Sequence, residues 1–361
     1  MRMTVPLTTT EIVFVFLLLF GLSCEKTPAV ISPECTVSRM DTILSQNEAM
    51  ASLPRNILER AAAASLPDTS GAMGNNKKAY FHVRFQMGIS TVASYGVAAE
   101  NRSAVEKSIK AIEYSFARQL PGGDFRVTVP PELAHLGSPK AGDMASGVAF
   151  FASSAGSAFM AMKESRWFQN EPDFKKRIEN LRPGITRLLD FLKTSEAILQ
   201  QADQKAPNRL LFDAVAFYSL GRYLDDAEAR DIGLKFAKAA VASQHKLGYY
   251  IEGGGWDTSY QAVALENGFK LLTLLPRNEP FRETLYSSLM CGTRWELARV
   301  EDNGKIATTG NTRVFDGGEK FLGKEKAMAY KSAVLSFLYA DIYTRETAFM
   351  KAANQVIRYY Q

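Results

Sequence analysis

Three stretches of the chain concentrate side chains able to do chemistry. The densest is Gly248 to Gln261, GYYIEGGGWDTSYQ, with three consecutive glycines, three tyrosines, a tryptophan and two carboxylates. Glycines in a row permit close backbone approach and positive φ angles at an entropic cost. Aromatic faces beside them can stack on a ring-shaped ligand. Asp257 and Tyr260 are the catalytic candidates here, with Glu252, Trp256 and Gln261 as substrate contacts. A structural role competes: Thr258 and Gln261 fit a capping box, and Asp257 is an alternative N-cap. Capping accounts for Thr258 and Gln261 but not for Trp256, Tyr260 or the glycine run.

The second stretch is Gly310 to Gly323, GNTRVFDGGEKFLG, which offers Asn311, Arg313, Asp316 and Glu319. Arg313 can neutralise a carboxylate by a bidentate pair. The bland alternative is a surface hairpin with solvated charges. The third, Gly123 to Asp143, holds Asp124, Arg126, Glu132 and His135, one of three histidines beside His82 and His245. Asp143 closes that stretch and is equally a helix cap. Asn208 and Asp213 join the substrate-binding candidates. Asp213 lies among Leu211, Phe212, Val215 and Phe217, where a carboxylate is costly unless it is paired or faces a wet cavity.

Two reactions fit these groups. In β-elimination on a uronic acid, Tyr260 would serve as base or acid and Arg313 would neutralise the sugar carboxylate. In glycoside hydrolysis, two carboxyl groups face each other about 5 to 9.5 Å apart, and Asp257 with Asp143 or Glu319 are the candidates. The chain carries 43 Lys and Arg against 38 Asp and Glu. That mild positive balance leans toward an anionic substrate and elimination, and is too weak to imply nucleic acid. A third reading is a glycan-binding protein without turnover. No spacing of Cys, His or acids resembles a zinc or iron-sulfur site, no aspartate-rich metal motif of the terpene-cyclase kind occurs, and no cofactor is expected.

The elements that must hold these groups are helical, since apolar residues recur at three and four places from about Met40 onward. Two kinds of helix alternate. Met144 to Met162, Leu210 to Leu220, Tyr260 to Leu275 and Ala327 to Tyr339 are apolar on nearly every side and must be surrounded by protein. Asp173 to Thr194, broken near Pro183-Gly184, Ala227 to Ala242, Phe281 to Val300 and Thr347 to Tyr360 are amphipathic. Hairpins of one buried and one half-exposed helix close into two concentric rings, so the expected fold is all-α, an α/α toroid, complete or incomplete. Links from buried to amphipathic helices are short, as at Tyr223 to Asp226. Those in the other direction (Pro121 to Gly142, Ser195 to Pro207, Lys246 to Trp256, Glu301 to Gly323) are long and polar. They are expected on one face, over helix N-termini that favour anions. Met144 to Met162 reads as a buried helix, with a membrane span as the lesser alternative.

Ahead of this body, Ile12 to Leu22 is an apolar run of eleven residues behind Arg2. It is too short to span a bilayer, which takes roughly 20 residues, and has the length of a signal-peptide core. The run ending Gly21-Leu22-Ser23-Cys24 resembles a bacterial lipoprotein signal, although Gly21 stands where leucine is usual. The division expected is therefore 1–23 signal, 24–39 lipidated tether on Cys24, and 40–361 toroid. The protein would sit in the cell envelope, anchored to a membrane by lipid. Loss of Arg2 and Glu11 leaves the charge balance unchanged. Cys35 and Cys291 remain, and the sequence leaves open whether they pair.

In architecture, over roughly residues 75 to 361, and in EGGGWDTSYQ at an inner-helix N-terminus, the chain resembles the α/α-toroid carbohydrate enzymes. That group includes alginate-lyase-like polysaccharide lyases and unsaturated glucuronyl hydrolases. The resemblance implies a polysaccharide or oligosaccharide substrate. The Asn-His pair typical of the alginate-lyase group is not found here.

Overall fold

The computed structural model describes residues 35–78, 80–321 and 323–361. The apolar run, Cys24 and most of the expected tether lie outside the described residues. Helices α1 (Gln46–Ser52) and α2 (Arg55–Ala63) come first, followed by a hairpin of α3 (Ile89–Ala98) and α4 (Arg102–Phe116). The long α5 (Ala141–Glu164) leads through the single turn α6 (Arg166–Gln169) to α7 (Pro172–Asn180) and α8 (Arg182–Thr194). A short α9 (Glu196–Asp203) precedes α10 (Pro207–Leu224) and α11 (Ala227–Ala242). Then come α12 (Thr258–Leu274) and α13 (Phe281–Leu297), the small antiparallel hairpin β1 (Lys320–Phe321) and β2 (Lys324–Glu325), and finally α14 (Tyr330–Thr344) and α15 (Thr347–Tyr360).

The inner layer is α3, α5, α10, α12 and α14. In it α5 packs between α3 and α10, and α12 between α10 and α14. The outer partners α4, α11, α13 and α15 pack on α3, α10, α12 and α14, and α2 also lies against α3. Helix α1 touches α3, α5, α12 and α14. Its Gln46 donates to the Ser157 carbonyl in the C-terminal half of α5, and Asn47 to the Ala161 carbonyl. The fold is thus an all-α, α/α toroid.

Composition explains which helices go inside. In α5 every residue from Ala145 to Met162 is buried, and small side chains let its neighbours come close. A Cβ on Gly156 would fall 2.1 Å from Ser219 Oγ of α10. By length and apolarity α5 could cross a membrane, but 94% of its apolar window is buried inside the protein. The amphipathic helices lie outside with their charged faces in water. The break expected near Pro183 falls at Leu181, between α7 and α8, with Pro183 in the first turn of α8 where a missing amide costs nothing.

The turns at the two ends differ as the link lengths suggested. At the far end α10 passes to α11 through Asp225, at φ 61°, and Asp226, which caps α11 by accepting from the Ala229 amide. At the other end, three outer helices finish in the same small hairpin, pairing Gln119 with Phe125, Gln244 with Tyr250 and Val300 with Ile306. A glycine at φ of 91–100° sits in each, Gly123, Gly248 and Gly304. A Cβ on these glycines would lie 2.0–2.6 Å from a carbonyl of the next outer helix (Arg187, Cys291, Gln355). The repeat therefore staples successive outer helices by backbone contact.

Three expectations are corrected. Ser195 to Pro207 is not all link, because α9 occupies most of it. The last inner helix starts at Tyr330, not near Lys324, because residues 320–325 form the β-hairpin. Residues 35–39, read as tether, lie along α13, held by the Cys35–Cys291 disulfide, by Arg294 donating to the Thr36 carbonyl and by Arg39 beside Glu283.

Candidate active site

The long links converge over the N-termini of the inner helices. Phe81 pairs with Thr128, Trp256 with Asn311, the ring of Phe85 meets Phe321 edge-on at 5.8 Å, and α9 packs on α5. The links 80–88, 117–140, α9, 243–257, 298–321 and 323–329 thus stand together as a wall around the inner-helix N-termini.

Asp257 belongs to the wall. It is the N-cap of α12, with Oδ1 accepting from the Tyr260 amide at 3.1 Å and Oδ2 from the Arg313 and Val314 amides at 3.0 and 2.7 Å. Only 1% of it is exposed. With three backbone donors and no solvent contact, this carboxylate is a helix cap that a substrate does not reach. The capping box does not form. Gln261 Oε1 instead accepts from the Tyr250 amide, and Thr258 bonds to Asn311, whose amide group also donates to the Val314 carbonyl. Gln261 and Asn311 thus pin the two glycine-rich loops to the helix end.

Tyr260, Arg313, Glu252 and Glu319 form one network. The Tyr260 hydroxyl donates to Glu319 Oε2 at 2.6 Å, and Lys326 Nζ donates to the same hydroxyl. Arg313 Nη1 donates to Glu252 Oε1 at 2.5 Å and Nη2 to Glu319 Oε1 at 2.8 Å, with its guanidinium 4.3 Å from the Tyr260 ring centre. Burial, helped by the Glu319 bond, pushes the Tyr260 hydroxyl far above its usual range. Burial also raises Glu252, against the pull of Arg313. Burial would raise Glu319 too, but its bonds to Tyr260, Lys326 and Arg313 prevail and hold it low. Arg313 is therefore already occupied by two protein carboxylates.

Asp143, Asp203 and Asp213 gather where α5 and α10 begin. Asp143 is exposed in the first turn of α5. Asp203, fully buried at the end of α9, accepts from Ser146 Oγ at 2.6 Å and from Arg209 Nη1 at 3.1 Å. Asp213 stands one turn along α10 from Arg209, fully buried, with neither oxygen bonded to a described residue. Burial, reinforced by the nearby Asp203 charge, pushes Asp213 well above the carboxylate range. Asp203 is raised by burial despite Ser146 and Arg209, and Asp143 adds to the rise. Asn208 is buried beside them, its Oδ1 unpaired among the described residues.

Trp256 is half-buried, with Gly310 against its indole. Arg126 and His135 are exposed, and His135 Nδ1 contacts only the Glu132 carbonyl. The network round Tyr260 and the cluster round Asp213 thus bring together most of the candidates, while Arg126 and His135 stay apart. Sequence reasoning missed Arg84, Ser146, Asp203, Arg209 and Lys326. Asp203 and Arg209 went unseen because α9 was read as a link; their spacing across a helix start was the available signal. Arg84 sits in a three-residue helical turn with no periodicity to reveal it.

No protein-family model matches the chain, and no curated protein sequence does. Solved structures do. A glycosyl hydrolase family 88 protein from Bacteroides vulgatus aligns with a TM-score of 0.51 at 10% identity, over 87% of this chain and 85% of that one. A sugar epimerase from a ruminal bacterium aligns with a TM-score of 0.51 at 12% identity, over the same shares. Likeness at this identity shows a shared fold. Among the described residues no group of three or more His, Cys, Asp or Glu is placed to hold a metal ion.

Proposed function

We propose that the protein is a carbohydrate-active enzyme, that the wall of links over the inner-helix N-termini is a funnel taking an acidic oligosaccharide or polysaccharide, and that its reaction is glycoside hydrolysis. The observation that carries this is the carboxyl cluster at the α5 and α10 N-termini, where an exposed Asp143 stands before buried acids whose proton is held tightly. Hydrolysis needs two carboxyl groups in different roles, one protonating the leaving oxygen and the other acting as base or nucleophile. In this reading Asp143 is the carboxyl group that meets the sugar, and the Asp203–Asp213 pair, buried out of reach of the substrate, sets the electrostatics behind it. Tyr260 and Arg313 hold the loops. Both structural neighbours, a glycosyl hydrolase and a sugar epimerase, act on sugars, which agrees.

β-Elimination is the second reading, favoured by Lys326 on the Tyr260 hydroxyl, a contact that stabilises a tyrosinate base. Glu319 on the same hydroxyl works against it, and Arg313 is already paired with Glu252 and Glu319. A lipid anchor on Cys24 in the cell envelope belongs to the same proposal, supported by the sequence of the run before it and by the disulfide, which persists in oxidising compartments. Incubating the protein with acidic and neutral polysaccharides while following reducing ends and ultraviolet absorbance tests the reading. Reducing ends without a gain in absorbance are expected. A gain in absorbance means elimination, and binding without either signal means a glycan-binding protein.

A further inference from the structure

Three arginines lie near the inner-helix N-termini, and two are engaged: Arg209 by Asp203, Arg313 by Glu252 and Glu319. The third, Arg84, makes no side-chain hydrogen bond or ion pair with any described residue. Its guanidinium lies between two aromatic faces, 5.4 Å from the ring centre of Phe150 on α5 and 5.4 Å from that of Phe321 on the β-hairpin. Phe150 is itself backed by Phe212 of α10 at 4.4 Å.

The backbone that carries Arg84 is fixed as well. The Arg84 amide donates to His82 Nδ1, His82 packs on Gly147 of α5, and Asn76 bonds both the His82 amide and carbonyl. A guanidinium does not lose its proton, so this one stays charged where burial and the positive charge of Arg209 both disfavour it. The opposing attraction comes from Asp143, which is not in ion-pair contact with it. A half-buried cation with no ion-pair contact gains from an anion that completes it, and its planar fork matches a carboxylate.

We propose that Arg84 receives the carboxylate of the bound sugar, with Phe150 and Phe321 flanking the ring that carries it. This rests on the reading of the funnel as a carbohydrate site. It gives Arg84 the role that the sequence suggested for Arg313, and it makes the residue a determinant of specificity, since a neutral sugar leaves the guanidinium uncompleted. Because the arm is held in place beforehand, little ordering entropy is lost on binding.

The test has two arms. In the first, acetate as a bare carboxylate is titrated into the wild-type protein while the Nε–H signal of Arg84 is followed by NMR. A saturable shift, with the Arg209 and Arg313 signals moving less, is expected. An unmoved Arg84 signal overturns the inference whatever the sugar does. In the second arm, affinities for glucuronic acid and glucose are compared in wild type and Arg84→Met, which keeps the apolar stem. A loss of tenfold or more for glucuronic acid, with glucose within twofold, is expected. Equal loss of both, or of neither, contradicts the assignment of Arg84. Failure of wild type to bind either sugar sinks the carbohydrate reading, while the acetate arm still decides whether Arg84 takes a carboxylate.

Discussion

Asp257 and Asp213 are both buried aspartates near inner-helix N-termini, and their neighbours give them opposite roles. Asp257 is satisfied by three backbone amides. Asp257→Ala should therefore cost about 2–4 kcal/mol, an N-cap plus two further bonds to a charged group, read as a lower urea midpoint. Stability within about 0.5 kcal/mol of wild type would show that the staple is not real. Asp213 has no bonded partner among the described residues, and its folded pKa lies above the ordinary 3.8. Near pH 3 and below, native and unfolded states both carry the proton. As the pH climbs above 3.8 the unfolded chain ionises while the native state resists, so stability falls as pH rises toward the folded pKa. Asp213→Asn removes that slope. Urea midpoints from about pH 4 to about pH 7 should fall more steeply for wild type than for the variant, and parallel curves would mean that Asp213 ionises freely in the fold.

At the scale of elements, the hairpin glycines make the sharpest claim. Gly123 combines φ of 92° with an Arg187 carbonyl 2.0 Å from any added Cβ, whereas Gly137, at φ of 69°, has nothing within 4 Å. Gly123→Ala should destabilise by more than Gly137→Ala, whose backbone at φ 69° and ψ −170° carries about 1–3 kcal/mol of strain alone. Equal losses by thermal or urea unfolding would remove the stapling role. These elements also show how far the sequence can be read. Ala227–Ala242 and Thr347–Tyr360 were legible to the residue because an amphipathic stripe runs their whole length. The alternation of buried and half-exposed helices was enough to reach the toroid. Helix α9 was not legible, since eight polar-rich residues between two longer helices look like a link. The loop Gly248 to Gln261 was legible as part of the site, yet the job of Asp257 depends on amides 56 and 57 residues away, which no local pattern reports. Arg84 stands out only once Phe150 and Phe321, from distant parts of the chain, are seen on either side of it.

Across the whole molecule, the Cys35–Cys291 bond ties the N-terminal strap to an outer helix over a sequence separation of 256. Removing a cross-link that closes so long a loop should cost about 2–5 kcal/mol. Reduction, or Cys291→Ser, is expected to lower the melting temperature by several degrees, and an unchanged melting curve under full reduction would refute a stabilising role. The strap leads into α1, which packs against α3, α5, α12 and α14 at the far end of the inner ring, opposite the long links.

The central claim is that the funnel cleaves an acidic glycan with its carboxyl cluster and that the Tyr260 network supports it. The most direct measurement compares turnover of one cleaved oligosaccharide by wild type, Asp143→Asn and Tyr260→Phe, with folding of each checked by circular dichroism. Loss of an acid or base group typically costs about 10²- to 10⁴-fold. The account predicts a loss in that range for Asp143→Asn, and less than about tenfold for Tyr260→Phe. Full activity in Asp143→Asn with a dead Tyr260→Phe would contradict it and move the chemistry to the tyrosine.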